Sequence, residues 1–129
     1  MRITRFEDIA AWQEARKLVK MVYGVINKSL QFRKDFRLVN QVQHAAVSAM
    51  SNIAEGFGRR SNREFIQFLF ISKSSAAEVQ SQLYVALDQE YIVQDDFDRI
   101  YNQAEVVSKM DSGFIKYLSS QLRKSNQVK

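Results

Sequence analysis

The sequence predicts an all-α fold, an antiparallel up-down-up-down four-helix bundle in which residues 1–129 form a single domain and copies of the chain assemble as a ring. The chain has no proline and only four glycines, which leaves too few turns for many short strands. Its apolar residues recur at steps of three and four over long stretches, the spacing of helices with one buried face. Four such helices joined by short links form an up-down-up-down bundle.

The first two predicted helices span residues 7–28 and 36–57. Thr4 and Glu7 have the spacing of a capping box, in which a hydroxyl and a carboxylate satisfy backbone amides at a helix start. The second helix carries small residues on its inner face, which allow close approach of a neighbouring helix. The inner positions are Ala11, Ala15, Leu18, Val22 and Val25 in the first helix, and Val39, Val42, Ala46, Ala49 and Ile53 in the second.

The third predicted helix begins near Asn62 and runs to about residue 89. Gly56 and Gly58 supply residues that commonly end a helix, so the second helix stops before this link. Ser61 and Glu64 then form a capping box for the next helix. Its inner face has the most regular heptad spacing in the chain, at Phe65, Leu69, Ser72, Ala76, Val79, Leu83 and Ala86.

The fourth predicted helix begins near Asp95 and Asp96, since carboxylates favour a helix amino terminus. Asp111 falls on its apolar stripe. Either the register drifts so that Met110 faces the core, which is our interpretation, or a buried carboxylate needs a partner. The remaining inner positions are Ile100, Ala104, Val107, Phe114 and Leu118.

The third helix carries more apolar surface than one bundle can cover. Six of the seven residues from 65 to 71 are apolar. Exposed patches of this kind mark interfaces, and closed homo-oligomers are the usual result. The alternative is that wide helix contacts bury these side chains within one subunit. The interface candidates are Phe68, Ile71, Tyr84, Leu87 and Tyr91.

Positive charge is concentrated at one end of the predicted bundle, although the net charge of the chain is only +5. The amino terminus, the link between the second and third helices, and the carboxy terminus share this end, which we name the basic end. In a ring, neighbouring basic ends would form a rim that attracts phosphates of RNA or single-stranded nucleic acid. The alternative is a solvated helix end. The candidate nucleic-acid contacts are Arg59, Arg60, Arg63, Arg2, Arg5, Arg123 and Lys124.

The residue types present do not favour an enzyme. The absence of cysteine excludes disulfides, thiolate zinc sites and a cysteine nucleophile. His44 is the only histidine, and no glutamate stands three residues before it as in di-iron bundles. Asn52 and Glu55, one turn apart, are interpreted as a structural polar network. We expect no catalytic residue, metal or cofactor.

We also expect a cytoplasmic protein without a membrane partner, because no apolar run approaches the ~20 residues that span a bilayer. Tyr23, Tyr101 or Tyr117 could stack on bases if they are exposed.

Three segments carry a resemblance to a known family. These are FEDIAAWQEARKLV, AAVSAMSNIAEGFGR and EFIQFLFISKSSAAEVQSQL. They resemble the four-helix-bundle proteins encoded in intervening sequences of bacterial 23S ribosomal RNA genes. The resemblance implies a non-enzymatic homopentamer whose gene location points to RNA. The accessory variability proteins of diversity-generating retroelements look similar, being basic pentameric bundles that partner a reverse transcriptase and nucleic acid.

The chain departs from the pattern of these relatives at two places. Relatives commonly carry two basic residues where this chain has Gln43 and His44, so the second helix has lost positive charge. They often carry Ile-Pro where it has Ala49 and Met50, so its helix should be more regular. The sequence therefore predicts an oligomeric, RNA-associated bundle, with a protein-binding adaptor or a reverse-transcriptase accessory protein as the alternatives.

Overall fold

Helices account for nearly all of the structure, a computed structural model that describes residues 3–128, with side chains described for residues 3–125. No strand occurs in this part of the chain, which confirms the all-α prediction. After a 3-10 helix at Phe6–Asp8, the elements are α1 Ala10–Asn27, α2 Leu30–Lys34, α3 Phe36–Phe57, α4 Asn62–Asp88 and α5 Gln94–Val128.

The four long helices pack in the predicted up-down-up-down arrangement. α1 and α4 each pack against both α3 and α5, and consecutive long helices run antiparallel because the links between them are short. The core between them is formed by the predicted stripes. Its largest fully buried apolar side chains are Phe32, Ile9, Leu18, Ile53, Leu69, Leu83 and Ile100.

Gly56 allows α3 to approach α4 at the basic end. A Cβ at this position would lie 2.7 Å from the Cβ of Phe68 and 2.8 Å from Cδ1 of Phe65. Both separations are shorter than real Cβ contacts. The glycine is therefore needed for close packing rather than for a positive φ.

The two predicted capping boxes have different outcomes. The hydroxyl of Ser61 accepts the backbone N–H of Glu64 at 3.2 Å, so Ser61 caps α4, which begins at Asn62 as predicted. The carboxylate of Glu64 meets the Ser61 hydroxyl at 3.3 Å rather than the backbone N–H of Ser61, so only half of the capping box forms. The box at Thr4 was wrong. Thr4 donates its backbone N–H and hydroxyl to the carboxylate of Asp8, because a 3-10 helix precedes α1.

The short helix α2 was not expected from the sequence. The hydroxyl of Ser29 accepts the backbone N–H of Phe32 and caps α2, and Phe32 then fills the core. Directly afterwards Asp35 caps α3 through the backbone N–H of Leu38. Two successive caps therefore turn the chain between α1 and α3.

α4 ends in a Schellman motif built around a residue other than glycine. The N–H of Glu90 donates to the carbonyl of Leu87, and the N–H of Tyr91 donates to that of Ala86, both at 2.9 Å. Glu90 adopts a φ of 61°, the left-handed conformation that this motif requires. The hydroxyl of Tyr91 donates to the carboxylate of Asp35 at 2.9 Å, which fastens the end of α4 to the start of α3.

None of the helices among the described residues is long and apolar enough to cross a membrane.

Candidate functional site

A cleft of about 410 Å³ opens at the basic end, where the link between α3 and α4 lies beside α5. Its walls come from three parts of the chain that the bundle topology brings to the same end. We name it the aromatic cleft and define it by Phe57, Phe65, Phe114, Tyr117, Arg59 and Arg60.

The aromatic rings of the cleft form a connected cluster. The ring of Phe65 meets those of Phe114 and Phe57 edge to face, with centroids 5.0 Å and 6.2 Å apart. Phe65 is nearly buried, at 7% exposed, whereas Tyr117 is 59% exposed. The centroid of Tyr117 is 6.4 Å from that of Phe114. The cleft therefore has a rigid buried floor and one wall that faces water.

The two arginines of the cleft differ in how they are held. Arg59 donates to the carboxylate of Glu55 at 3.0 Å, and its guanidinium lies 4.7 Å from the ring centroid of Phe68. Arg60, like the neighbouring Arg63, is exposed and forms no ion pair with any residue that the structure describes. Arg59 is thus positioned within the fold, while Arg60 and Arg63 present their charge to solvent.

The other predicted nucleic-acid contacts are spread around the same end. Arg5 pairs with Glu7 at 2.8 Å, and this contact lowers the pKa of the Glu7 carboxyl. Arg123 and Lys124 are exposed on α5, and Arg123 lies five residues past Leu118, about 8 Å along the axis. Arg2 lies outside the described residues.

The predicted interface residues divide into two groups. Leu87 and Tyr91 pack against the subunit's own core, and the ring of Tyr91 stacks on that of Phe32 at 5.4 Å, so their apolar surface is accounted for within one chain. Phe68 is half-buried beneath Arg59. Ile71 and Tyr84 are exposed by 47% and 51%.

Phe70, 52% exposed beside Ile71, is a further exposed apolar residue of α4 that the sequence analysis did not single out. The run from residue 65 to 71 contained the signal, because both residues fall between the core positions Leu69 and Ser72.

Asn52 and Glu55 take part in two separate local arrangements. The amide of Asn52 donates to the carbonyl and the hydroxyl of Ser48, whose oxygen lies 2.8 Å from that of Ser75 on α4. Glu55 instead pairs with Arg59. The two residues thus do not form one network: Asn52 contacts the serine pair between α3 and α4, and Glu55 orients a cleft arginine.

Asp111 is buried, which overturns our preference for a register drift. Its exposure is 0%, whereas Met110 is 36% exposed. The heptad therefore continues through the carboxylate. One carboxylate oxygen, Oδ2, lies 2.6 Å from the hydroxyl oxygen of Ser72, and Oδ1 has no partner. Burial raises the pKa of Asp111 to about 7, and the Ser72 hydrogen bond and the charge of Lys73 oppose this shift.

The hydrogen bonds around Ser72 indicate that the carboxyl group of Asp111 is protonated. The hydroxyl oxygen of Ser72 is also 2.7 Å from the carbonyl oxygen of Ala49, which can only accept. One hydroxyl proton cannot serve both the carbonyl and an ionised carboxylate. A protonated Asp111 resolves the conflict, because it donates to Ser72 while Ser72 donates to Ala49.

Among the residues that the structure describes, no group of three or more acidic, histidine or cysteine side chains could hold a metal ion. His44 is exposed on α3.

Comparison with known proteins places the chain among related sequences and folds. The family model of the 23S rRNA-intervening sequence protein matches residues 7–113. A crystal structure of a protein with unknown function from the S23 ribosomal protein family of Bacteroides thetaiotaomicron is similar in fold, with a TM-score of 0.69 and 24% identity over 82% of this chain and 94% of that one. No protein with curated annotation gave a significant match. The chain belongs to the family of 23S rRNA-intervening sequence proteins.

Proposed function

We propose that the protein is a non-enzymatic, homo-oligomeric accessory protein that binds RNA through its basic end. The observation that carries the proposal is the pair Arg60 and Arg63, exposed and without an ion-pair partner among the described residues, beside a cleft lined with aromatic rings. Free guanidinium groups bind phosphates, and aromatic rings stack on bases.

Local electrostatics support phosphate binding at this place. Arg60 and Arg63 flank the amino terminus of α4, where unpaired backbone N–H groups and the helix dipole also favour anions. Of the two nearby carboxylates, Glu55 is already paired with Arg59. Glu64 accepts only the neutral hydroxyl of Ser61 and keeps its charge, so Arg60 and Arg63 leave a net positive charge at this helix start.

The family to which the chain belongs makes RNA the first polyanion to test. Its name connects it with intervening sequences of 23S ribosomal RNA. We further propose that the protein acts in the cytoplasm. Binding through a basic rim requires no base-specific contact, so affinity should depend on phosphate charge and salt.

Self-association is the second part of the proposal. Phe70, Ile71 and Tyr84 expose about half of their apolar side chains on α4, a surface that a second copy can cover. A closed ring, with five subunits as the family resemblance implies, would set the basic ends side by side. Each ring would then offer several copies of Arg60 and Arg63 to one RNA strand.

Light scattering after size exclusion tests the assembly. The wild-type protein is expected to elute as an oligomer at micromolar concentration. The double change Phe70→Asp and Ile71→Asp should give folded, smaller species, because charge would be buried at the interface. Changing Val93, exposed in the link before α5, and Val106, exposed on α5, to Asp adds the same charge and should leave the oligomer intact. A folded wild-type monomer at that concentration contradicts the proposal.

A salt titration with a single-stranded RNA oligonucleotide tests the binding. Wild-type affinity should fall steeply with salt, by a slope of about 0.7 in the logarithm for each phosphate contacted. Arg60→Ala with Arg63→Ala should weaken binding and reduce this slope without changing oligomer size.

Exposed lysines at other places provide the matched control. Lys20→Ala with Lys34→Ala removes the same charge from α1 and α2, and should have a much smaller effect. Equal effects of the two double variants would assign the binding to net charge alone. The absence of RNA binding at low salt would instead favour the protein-binding adaptor.

A further inference from the structure

The water-facing wall of the aromatic cleft is shared with a second cleft. Tyr117 and Phe114 line the aromatic cleft, and both also line a neighbouring cleft of about 400 Å³ that includes Met110 and Gly113. Each volume lies within the range of about 300–1,000 Å³ that is typical of small-molecule sites. Tyr117 therefore stands between two openings, and its chemistry is available on both sides.

The two clefts differ in charge. Arg59 and Arg60 line only the aromatic cleft, together with Ser61 and Asn62 at the start of α4. The second cleft has no charged side chain in its lining. A ligand that combines a flat apolar ring with a nearby negative charge thus fits the aromatic cleft and gains nothing from the other one.

The fold holds the parts of the aromatic cleft in fixed relative positions. Phe65 packs between Phe57 and Phe114, which links α3, α4 and α5 at this level. Arg59 is held by Glu55 and by the face of Phe68. The capping of α4 by Ser61 fixes the backbone directly after Arg60. The floor of the cleft and Arg59 are therefore in place before a ligand enters, and only the exposed side chains of Tyr117 and Arg60 remain to be ordered.

We infer that the aromatic cleft accommodates one unstacked base of a single-stranded nucleic acid, with the ring of Tyr117 against the base and Arg60 on the adjoining phosphate. This inference rests on the proposed function and names the subsite within the basic end. An RNA strand supplies both required chemistries in neighbouring groups, and base–aromatic stacking tolerates any sequence. An apolar peptide lacks the negative charge that the two arginines would meet.

The test uses the full-length protein and a short single-stranded RNA that carries 2-aminopurine at one position. Stacking of this base on Tyr117 should quench its fluorescence. Tyr117→Ala should abolish the quenching and weaken binding by about 5- to 150-fold, the range for loss of one base–aromatic stack. Tyr117→Phe should retain both. Phe36→Ala, which removes an exposed aromatic ring from the start of α3 at the opposite end of the bundle, should behave like the wild type.

An oligonucleotide of equal length with abasic residues separates this inference from the proposed function. We expect it to bind more weakly than the intact RNA, with the same salt dependence and no response to Tyr117→Ala. Equal affinity for the two oligonucleotides, without quenching, would overturn the base subsite and leave phosphate binding by Arg60 and Arg63 standing. Failure of both to bind would overturn both proposals. Loss of the oligomer on Tyr117→Ala would show that a second copy occupies the cleft, which also overturns the inference.

Discussion

Asp111 and Tyr117 lie less than two turns apart on α5, yet they depart from the usual burial pattern in opposite directions. Asp111 is a carboxyl group with 0% exposure, and Tyr117 is an aromatic ring with 59% exposure. A buried polar group and an exposed apolar surface are the departures from ordinary burial that most need an explanation. We assign Asp111 to the stability of the fold and propose Tyr117 for binding.

The difference between the two sites is whether the chain itself supplies the partner. Asp111 finds one in Ser72, which in turn reaches the carbonyl of Ala49, so three helices meet at this layer. Tyr117 has Phe114 on one side and water on the other. Changes at Asp111 should therefore alter the stability of the fold, and changes at Tyr117 should alter binding.

The largest expected effect is the pH dependence of stability that Asp111 imposes. Its pKa is raised from the ordinary value of 3.8 to about 7, so the folded state holds a proton that the unfolded state releases. The stabilisation is complete below about pH 4 and is lost as the pH rises to 7, at about 1.4 kcal/mol per unit. The total is on the order of 4 kcal/mol.

Asp111→Asn replaces the carboxyl group with a neutral amide. The loss of folding stability as the pH rises to about 7 should therefore be absent from this variant. Urea unfolding from pH 4.5 to 8.5 should show the variant gaining on the wild type up to about pH 7 and keeping a constant advantage above it. Asp88→Asn, at an exposed site, is the control and should follow the wild type. Parallel curves for Asp111→Asn and the wild type would show that Asp111 ionises freely in the folded protein.

Gly56→Ala should have the next largest effect on stability, because the added methyl group would press against Phe65 and Phe68 within the fold. The new Cβ would stand 2.7 Å from the Cβ of Phe68, so α3 and α4 must separate. We expect a loss of about 1–3 kcal/mol in unfolding free energy. Gly58→Ala is the matched control, since its nearest contact is an ordinary 3.5 Å. Equal denaturation midpoints for the two variants would contradict the close approach of the helices.

Ser72→Ala should cost on the order of 1–2 kcal/mol, because it leaves the carboxyl group of Asp111 without a hydrogen-bond partner. When Asp111 is ionised, the hydroxyl of Ser72 can donate to the carboxylate instead of to Ala49, and this bond opposes the rise in pKa. Its loss should therefore raise the pKa of Asp111 further. The pH at which stability levels off should then move upward in the same unfolding series. If the stability of Ser72→Ala levels off at the same pH as that of the wild type, Ser72 donates only to the carbonyl of Ala49 and does not affect the pKa of Asp111.

The smallest effects on stability are expected at the exposed residues of the aromatic cleft. Tyr117→Ala and Arg60→Ala should each change the unfolding free energy by less than about 0.5 kcal/mol, the usual range for exposed positions. Thermal unfolding followed by circular dichroism measures this directly. A substantial drop in melting temperature for either variant would reassign that residue to the fold and weaken its assignment to binding.

Periodicity alone predicted most of the architecture. The predicted stripes of α1 and α4 are fully buried, and those of α3 and α5 are buried except at Val39 and Phe114, which are half-buried. The link with Gly58 and Ser61 ends one helix and starts the next where the sequence indicates. Such features depend on neighbours in sequence. α2 was missed because five residues are too few to show a helical period, although Ser29 carries its cap.

The features that escaped prediction depend on contacts between distant parts of the chain. A carboxylate on an apolar stripe is usually a change of register, and only the position of Ser72 on α4 shows that Asp111 is tolerated in the core. The arginines of the basic end were visible in the sequence. The cleft was not, because Phe57, Phe65 and Phe114 come from three helices and their meeting depends on the packing at Gly56.

α5 continues past Leu118, and the described side chains at residues 123–125 are exposed. Arg123 and Lys124 thus stand outward from the bundle, beyond the arginines of the link. In the proposed RNA-binding role, a polyanion diffusing toward this end would meet these outermost cations first, so they would raise the rate of association. The groups deeper in the molecule would instead determine how long the complex lasts. The length of one helix would then give association and retention to different residues.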